Sequence, residues 1–278
     1  MDTDPISIDL NVDAALVLRD LVGIDTYPAV LAILPNIFRI EDRERVRTVV
    51  TGQLREAGIV EGDTVHPAVA GWLRSLERPD VELAARIIDN GRGGHTQTML
   101  RISLVRAGES HVLAVRCDDQ VVIQQVFHEG RHLNTLTAAL KSALGDYPAL
   151  EFEAVTVATA DLSEIPADPD ECRTALRELG AAPHTASVLT RALGEIVRRA
   201  EVIMIEHRDG GSGLPEKDAC TSVVDTLSGR FIVTPAAALD GQLRSTFRPG
   251  DDSSLRSGIN ALVELLPSRS WFDTVRTG

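Results

Sequence analysis

One short stretch of this chain has the residue types and spacing of a catalytic metal site. His128-Glu129-Gly130-Arg131-His132 matches the pattern H-E-x-x-H. In zinc proteases that carry this pattern, two histidines one helical turn apart bind the metal and the glutamate acts as general base. Glu151 or Glu153 lies downstream, where a third ligand would be needed. Taken alone, these residues raise the hypothesis of a zinc-dependent hydrolase that uses His128, Glu129 and His132.

The chain also contains signs of an internal repeat. Arg55-Glu56-Ala57-Gly58 recurs as Arg177-Glu178-Leu179-Gly180, a spacing of about 120 residues and several times the period of a solenoid repeat. The strand-like stretch His111–Ala114 has a counterpart at a similar spacing in Arg230–Val233. We therefore predict a single domain over residues 1–278, built from half-repeats at approximately 6–148 and 150–273. A quasi-two-fold axis would relate the two halves.

The repeat argues against the metal site. The counterpart of the HEGRH stretch is Arg248-Pro249-Gly250-Asp251-Asp252, which has the Pro and Gly of a strand-to-helix turn. By analogy His128 and Glu129 lie in a turn and only His132 lies near a helix start, so the histidines need not share a helix face. Nothing else in the sequence combines a nucleophile, a base and an orienting group. We predict no catalytic residue, no metal and no cofactor.

Hydrophobic periodicity predicts an α+β fold of antiparallel meanders with helices packed alongside. Each half has short strands followed by a closing helix, at about Leu133–Leu144 and Asp251–Leu266. The predicted strands are Ile6–Leu10, Val81–Ile88, Met99–Arg106, His111–Arg116 and Val121–Phe127 in the first half, and Phe152–Val157, Val202–His207, Ser222–Asp225, Arg230–Val233 and Gln242–Phe247 in the second. The apolar run Tyr27–Leu34 is predicted as a further strand, and the helix opened by Pro183 is predicted to continue to Val197. Strands and helices do not alternate as βαβ units, which excludes a doubly wound nucleotide-binding sheet.

Composition excludes several classes of function. The net charge of −13 and the 4% aromatic content do not suit nucleic acid, whose phosphates require a basic surface. Cys117, Cys172 and Cys220 are far apart and lack CxxC spacing, as expected of reduced thiols. Met1–Pro5 is acidic where a secretory signal would be basic, and Ala29–Leu34 is too short to span a bilayer. These features predict a cytoplasmic protein that neither binds nucleic acid nor inserts into a membrane.

Each half also contains one long glycine-rich loop between the first two strands of its meander. The loops are Asp89–Thr98 (DNGRGGHTQT) and Asp209–Lys217 (DGGSGLPEK). Both are longer than a tight hairpin requires, and loops of this kind often carry binding function. Because the two loops differ in chemistry, we expect the halves to be functionally unequal and the first loop to matter more.

Several further segments resemble a known family. In the second half they are Ser222–Pro235, Asp240-Gly241, Ser245–Gly250, Ala261–Pro267 and Trp271-Phe272. In the first half they are Val12–Leu18, Pro28–Val30, Ile33, Pro35, Pro67–Val69 and Trp72-Leu73. Together they are similar to the EspG family, the ESX secretion-associated proteins of actinobacterial type VII systems. The resemblance implies a cytosolic, non-enzymatic chaperone that binds PE–PPE heterodimers at the helical tip of the PPE subunit and keeps them soluble until secretion.

The resemblance also implies where the partner binds. Family members use the central sheet, the loop between the second and third strands, and a C-terminal helical bundle. That loop corresponds here to Asp89–Thr98, which gives Asn90, Arg92, His95 and Gln97 as contact candidates. The candidates on the sheet are Gln125, Phe127, Arg244 and Phe247, and the candidate on the closing helix is Arg256. A sheet edge or helix face could in addition support a weak homodimer.

Overall fold

The computed structural model describes residues 4–35, 39–91, 96–209, 211–213 and 219–276. In these ranges the α-helices are α1 (Val12–Val22), α2 (Ile40–Glu56), α3 (Pro67–Glu77), α4 (Asn134–Leu144), α5 (Pro169–Glu178), α6 (Pro183–Leu193) and α7 (Asp252–Glu264). The strands are β1 (Ser7–Asn11), β2 (Val60–Glu61), β3 (Thr64–Val65), β4 (Val81–Asp89), β5 (Thr98–Ala107), β6 (Ser110–Cys117), β7 (Gln120–Gln125), β8 (Val155–Ala158), β9 (Ile196–Arg208), β10 (Gly211–Gly213), β11 (Thr221–Thr226), β12 (Gly229–Ala237) and β13 (Leu243–Pro249).

One antiparallel sheet organises the described part of the chain. Its strand order is β1-β7-β6-β5-β4-β9-β11-β12-β13-β8, with β10 added beside β9, while β2 and β3 form a separate hairpin. In each half the first strand lies at a sheet edge beside the last strand of a four-stranded meander, and the halves meet where β4 pairs with β9. The predicted α+β class is therefore confirmed. The duplication and the half-repeat boundaries stay predictions, because strand order describes arrangement and not the history of the sequence.

The two faces of the sheet are covered differently. Because side chains alternate along a strand, Val81, Leu83, Ala85 and Ile87 of β4 point to the face on which α4 and α7 pack. We call this the helix face. It holds a continuous buried core that includes Trp271, which is 1% exposed.

The opposite face, which we call the groove face, is covered only toward its two edges. At the β1 edge α1 and α3 pack on β1, β5, β6 and β7, with Leu18, Leu73 and Trp72 in the core. At the β8 edge α5 and α6 cover β8 and β11–β13, with Leu176 and Phe231 in the core. The middle of the sheet, at β4 and β9, lies between these two groups of helices.

Local sequence signals explain where several helices begin. Asn11 caps α1 by accepting a 2.8 Å hydrogen bond from the backbone N–H of Ala14. Asp251 caps α7 in the same way, at 2.7 Å from the nitrogen of Ser254. Proline occupies the first turn of α3, α5 and α6, where its missing N–H costs no intrahelical bond. None of the helices in the described ranges is long and apolar enough to cross a membrane.

The predicted strand Tyr27–Leu34 was wrong. This segment forms only a short 3₁₀ turn at Ala29–Leu31 and pairs with no strand. Tyr27, Leu31 and Ile33 are buried in the core that α1 and α3 also enter, with Leu31 0% exposed, whereas Leu34 is 68% exposed. Side chains instead of a neighbouring strand satisfy its carbonyls: Arg101 donates to Val30 O at 3.3 Å and Arg116 donates to Leu31 O at 2.9 Å. Burial produced the apolar run without any strand pairing.

Three other predicted boundaries in the second half were also displaced. Helix α6 ends at Leu193, because Gly194 closes it and Ile196 already begins the long strand β9. Strand β8 covers Val155–Ala158 instead of Phe152–Val157. Within the predicted loop Asp209–Lys217, residues Gly211–Gly213 form β10, which extends the pairing of β9.

A buried ionic cluster joins the two halves on the helix face. The Asp225 carboxylate, 1% exposed, accepts hydrogen bonds from Arg198 on β9 and Arg230 on β12. Both guanidinium groups also donate to the carbonyl of Leu144, and Arg230 donates to that of Gly145 at 3.0 Å. The last carbonyls of a helix have no partner within it, so second-half arginines complete the end of first-half helix α4.

Candidate functional site

The middle of the groove face contains a cavity of about 540 Å³ that opens to solvent. We call it the central groove. It is lined by Ala29, Val30, Glu82, Ala84, Ala85, Arg86, Arg101, Glu201, Ile203, Ile205 and Cys220. Because β4 and β9 supply most of this lining, the groove lies at the junction between the two halves of the sheet.

The floor of the central groove is apolar and its rim is charged. Ala84 pairs with Ile203 across the β4–β9 ladder, and Ile205 lies two residues further along the same face. At the rim Arg86 and Glu201 are also cross-strand partners and form a 2.9 Å ion pair. Both rim side chains are exposed, 52% and 37% respectively, so the pair contributes little to stability. An apolar floor with a polar rim is the usual composition of a protein-docking surface.

One carboxylate at the end of this floor is already engaged. Glu82 is 3% exposed and accepts a 2.7 Å hydrogen bond from the Ser103 hydroxyl. Its other oxygen lies 3.1 Å from Nε2 of His207. Because both oxygens have partners inside the protein, Glu82 shapes the wall of the groove and does not present a free base to it.

A second cavity of about 670 Å³ adjoins the central groove toward the β8 edge. Glu201 lines both cavities. The walls of the second cavity are largely apolar and include Leu162, Ile165, Cys172, Val224, Phe231 and Phe247. The groove face therefore has two neighbouring cavities between the 3₁₀ turn at Ala29–Leu31 and the start of α5, with Glu201 in the wall of both.

The structure describes two of the four predicted loop contacts. Asn90 is exposed at the end of β4; its backbone N–H donates to Val197 O at 3.0 Å and its side chain lies 3.4 Å from Ile196 O. Gln97 is exposed just before β5. Arg92 and His95 lie outside the described residues. Asn90 thus attaches the first-half loop to β9 of the second half.

The predicted contacts on the sheet and on α7 have different environments. Gln125 ends β7 and is exposed, and Phe127 is 73% exposed. Arg244 forms a 3.2 Å ion pair with Asp240, and Arg256 is exposed on α7.

Phe247 requires a correction. Its side chain is only 4% exposed and lies with Phe231, at a ring-centroid distance of 6.1 Å, in the core beneath α5 and α6. It is a buried wall residue of the second cavity and not a surface contact. The strand pattern identified Phe247 as strand, but it could not show that helices cover this face.

The predicted contacts do not form one surface. Strand register places Gln125 in a row with Val112, Val105 and Glu82, near the start of β4, whereas Asn90 follows the end of β4. Seven residues of strand separate these levels, roughly 23 Å. Arg256 lies on α7, which packs on the helix face. The sequence-based set therefore scatters over several parts of the molecule.

Sequence reasoning missed the floor of the central groove. A usable signal was present, because β9 is apolar on both faces: Val202 and Met204 on one side, Ile203 and Ile205 on the other. A strand of this kind needs cover on both sides. The structure provides helices on one face only, which leaves Ile203 and Ile205 half-buried.

The HEGRH stretch lacks the geometry of a zinc-binding helix. His128 and His132 lie in the irregular segment between β7 and α4, which begins only at Asn134. The His128 ring stacks on His111 at 4.8 Å, and its Nδ1 lies 2.8 Å from the Thr135 hydroxyl. Among the residues that the structure describes, no three His, Cys, Asp or Glu side chains are arranged to hold a metal ion.

Comparison with known proteins places these features in a family context. The model of the EspG family matches residues 11–261. The chain is 32% identical over 273 residues to the ESX-1 secretion-associated protein EspG1 of Mycobacterium marinum (strain ATCC BAA-535 / M), covering 97% of this chain and 92% of the relative. It is 30% identical over 273 residues to the ESX-3 secretion-associated protein EspG3 of Mycolicibacterium smegmatis (strain ATCC 700084 / mc(2)155), covering 96% and 90%.

A solved structure has the same fold. It is that of the Mycobacterium tuberculosis type VII secretion system chaperone EspG5 in complex with the PE25-PPE41 dimer. The TM-score is 0.79 at 20% sequence identity, and the match covers 96% of this chain and 99% of that one. The similarity extends over both halves of the sheet and the helices that flank it.

Proposed function

Because the chain belongs to the EspG family, we propose that it is a chaperone of a type VII (ESX) secretion system that binds a PE–PPE heterodimer through its PPE subunit. The family resemblance predicted from the sequence is confirmed by the family match and by the relatives. The relatives carry the names of secretion-associated proteins, and the solved structure of the same fold is a chaperone bound to PE25-PPE41. The chain therefore acts as a binding protein and not as an enzyme.

The observation that carries this proposal is the apolar floor left open in the middle of the sheet. Ala84, Ile203 and Ile205 line a groove that opens to solvent, and its apolar floor suits the apolar end of a helical hairpin. A client tip of this kind is apolar and aggregates when it is left uncovered. Burying it against the floor removes both apolar surfaces from water, which is the main favourable term in such associations.

The rim of the groove supplies polar contacts. The end of a helical hairpin has backbone N–H and C=O groups without intrahelical partners, and charged side chains can satisfy them. Arg86, Glu201 and Arg101 lie around the floor in positions to do so. We propose that the apolar floor supplies most of the binding free energy and that the charged rim orients the client.

The first-half loop extends this site. Asn90 and Gln97 lie at its two described ends, and Arg92 and His95 remain contact candidates from the sequence. Phe127, Gln125, Arg244 and Arg256 would be peripheral contacts made by other parts of an elongated client. We place the chaperone in the cytoplasm, where a client is met before export, and its three widely spaced cysteines suit that reducing compartment.

Co-expression with a PE–PPE pair encoded in the same genome tests the proposal. Ile203→Glu puts a charge on the groove floor and should abolish co-purification of the pair. Val49→Glu is the matched control, because Val49 is an apolar residue, 61% exposed, on α2 away from the groove. Circular dichroism must show both variants folded. If Ile203→Glu co-purifies the pair as well as the control does, the groove is not the site.

A further inference from the structure

The segment that follows α7 ties the second half of the chain to the first. We call residues 267–276 the C-terminal strap. Arg106 on β5, 4% exposed, donates to the carbonyl of Trp271 at 2.6 Å and to that of Thr274. Asp80 accepts a hydrogen bond from the backbone N–H of Arg276 at 2.8 Å. These contacts hold the strap across the start of β4 and the end of β5.

Trp271 is the anchor of the strap. Its side chain is 1% exposed and belongs to the core of the helix face. A buried indole N–H needs an acceptor, and here that acceptor is Nε2 of His111 at 3.1 Å. Nε2 can accept only when it carries no proton. The docked strap therefore requires neutral His111 with its proton on Nδ1.

His111 has little to stabilise a positive charge. It is 5% exposed, the ring of His128 stacks on it at 4.8 Å, and burial outweighs the favourable contribution of the backbone and carboxylate of Glu109. The ionisable groups around it come from four places. They are Arg106 on β5, Glu109 in the β5–β6 turn, His128, Arg131 and His132 in the segment before α4, and Asp273 in the strap.

The balance of these groups disfavours protonation. Arg106 is paired with Asp80, and Arg131 is paired with Asp273, so Glu109 is the one carboxylate among them that favours a charged imidazole. Burial, and secondly the neighbouring His128, lower the pKa of His111 from 6.5 to about 4. The geometry and the charges both require a neutral ring.

We propose that His111 and Trp271 form an acid-sensitive latch, and that protonation of His111 releases the C-terminal strap from the first half of the sheet. A proton on Nε2 would face the indole N–H, so an acceptor becomes a second donor and the hydrogen bond is lost. The new charge would also lie in the core near Arg106. Once the strap is released, water reaches His111 and solvates the positive charge of its ring.

The sign of the pH dependence follows from linkage. The pKa of His111 is lowered while the strap is docked, so the state with the strap released binds more protons between pH 6.5 and about pH 4. Docking is therefore fully favourable above pH 6.5 and weakens as the pH falls through this window. The docking equilibrium should fall on the order of 10-fold for each pH unit within it.

Hydrogen exchange on the full chain tests the latch. Amide protection in residues 268–276, corrected for intrinsic exchange, should be constant above pH 6.5 and fall on the order of 10-fold per unit below about pH 6. Protection of β4 and β9 should not change over the same range. In His111→Gln the side-chain oxygen can still accept from the indole but cannot titrate, so strap protection should become independent of pH.

His184→Gln is the matched control, because His184 is exposed at the start of α6. This variant should keep the wild-type pH dependence. Acid-induced exposure of the strap that persists in His111→Gln, or its absence in the wild type, overturns the proposal.

A second measurement uses the wild-type chain and needs no variant. Imidazole ¹⁵N shifts should show the Nδ1–H tautomer of His111 at pH 7 and a titration midpoint well below pH 6.5. An Nε2–H tautomer, or an ordinary midpoint, would equally overturn it.

Discussion

Asp225 on β11 and Arg230 on β12 form a buried ion pair with two hydrogen bonds, at 2.5 and 3.1 Å, and only 1% and 6% of their surfaces are exposed. The pair lies against the C-terminal end of α4, whose carbonyls Arg230 also satisfies. The Asp225 carboxylate of the second half thus orients the Arg230 guanidinium, which donates to the carbonyls at the C-terminal end of α4 in the first half.

Asp225→Asn should destabilise the fold strongly. The substitution leaves the buried guanidinium of Arg230 without its counter-charge, a change that typically costs about 3 kcal/mol or more of unfolding free energy. Urea denaturation followed by circular dichroism measures it. Asp240→Asn removes the partner of Arg244 in an exposed pair and should leave the midpoint unchanged. Equal midpoints for the two variants would show that the buried pair is not a stabilising link between the halves.

Gly250→Ala should also destabilise the fold, for steric reasons. A Cβ at this position would lie 2.2 Å from Cγ of Arg230 and 2.5 Å from its carbonyl oxygen. Overpacking of this kind costs about 1–3 kcal/mol of unfolding free energy. Gly52→Ala is the matched control, because no atom lies within 4 Å of the added carbon in α2 and alanine favours a helix by about 0.5–1 kcal/mol. The two variants should shift the thermal midpoint in opposite directions, and a shift of the same sign would contradict the close approach.

Arg86→Glu should weaken client binding without unfolding the protein. The variant places a second carboxylate opposite Glu201 at the rim of the central groove and removes a donor for the client. Affinity for a PE–PPE pair should fall about 10-fold, the effect of losing one charged contact. Titration calorimetry measures it. Arg45→Glu on α2, where the side chain is 78% exposed, should bind like the wild type, and equal affinities for both variants would remove the rim from the site.

Shortening the first-half loop tests whether it contributes to binding. Replacing residues 90–97 by an Asn-Gly turn keeps the β4–β5 hairpin and should abolish or strongly reduce co-purification of the client. Thermal stability should change little, because Asn90 and Gln97, at the two described ends of the loop, are exposed. Deletion of residues 214–218 in the second-half loop is the comparison and should have a smaller effect. A larger effect of the second deletion would contradict the expectation that the first-half loop contributes more to client binding than the second-half loop.

The sequence predicted the positions of strands and helices better than it predicted which strand faces the helices bury. Strand periodicity located β4–β7, β11 and β13 closely, because alternation and short turns are local signals. The predicted strand Arg230–Val233 was too short, because β12 continues to Ala237. The same signals failed at Tyr27–Leu34, where burial under α1 and α3 made an apolar run that never enters the sheet. They also failed at the end of α6, since Ile196 and Val197 suit either a helix or a strand.

The candidate site was harder to predict, because it depends on which faces the helices leave open. Phe247 and Ile203 both lie on strands and both are apolar, yet α5 and α6 bury the first while the second remains half-exposed. Only the packing of distant segments separates them. The predicted repeat did direct attention away from HEGRH, since its counterpart in the second half has the Pro and Gly of a strand-to-helix turn.

The pairing of β4 with β9 has a consequence for the synthesis of the protein. Arg86 and Glu201, which pair across β4 and β9 at the rim of the groove, are 115 residues apart in the chain. Domains fold as their segments leave the ribosome, and contacts of long sequence separation form late. A nascent chain that ends before β9 lacks one of the two strands that form the floor of the groove. Client capture is therefore restricted to chains whose translation has passed β9, and a prematurely terminated first half cannot sequester the client.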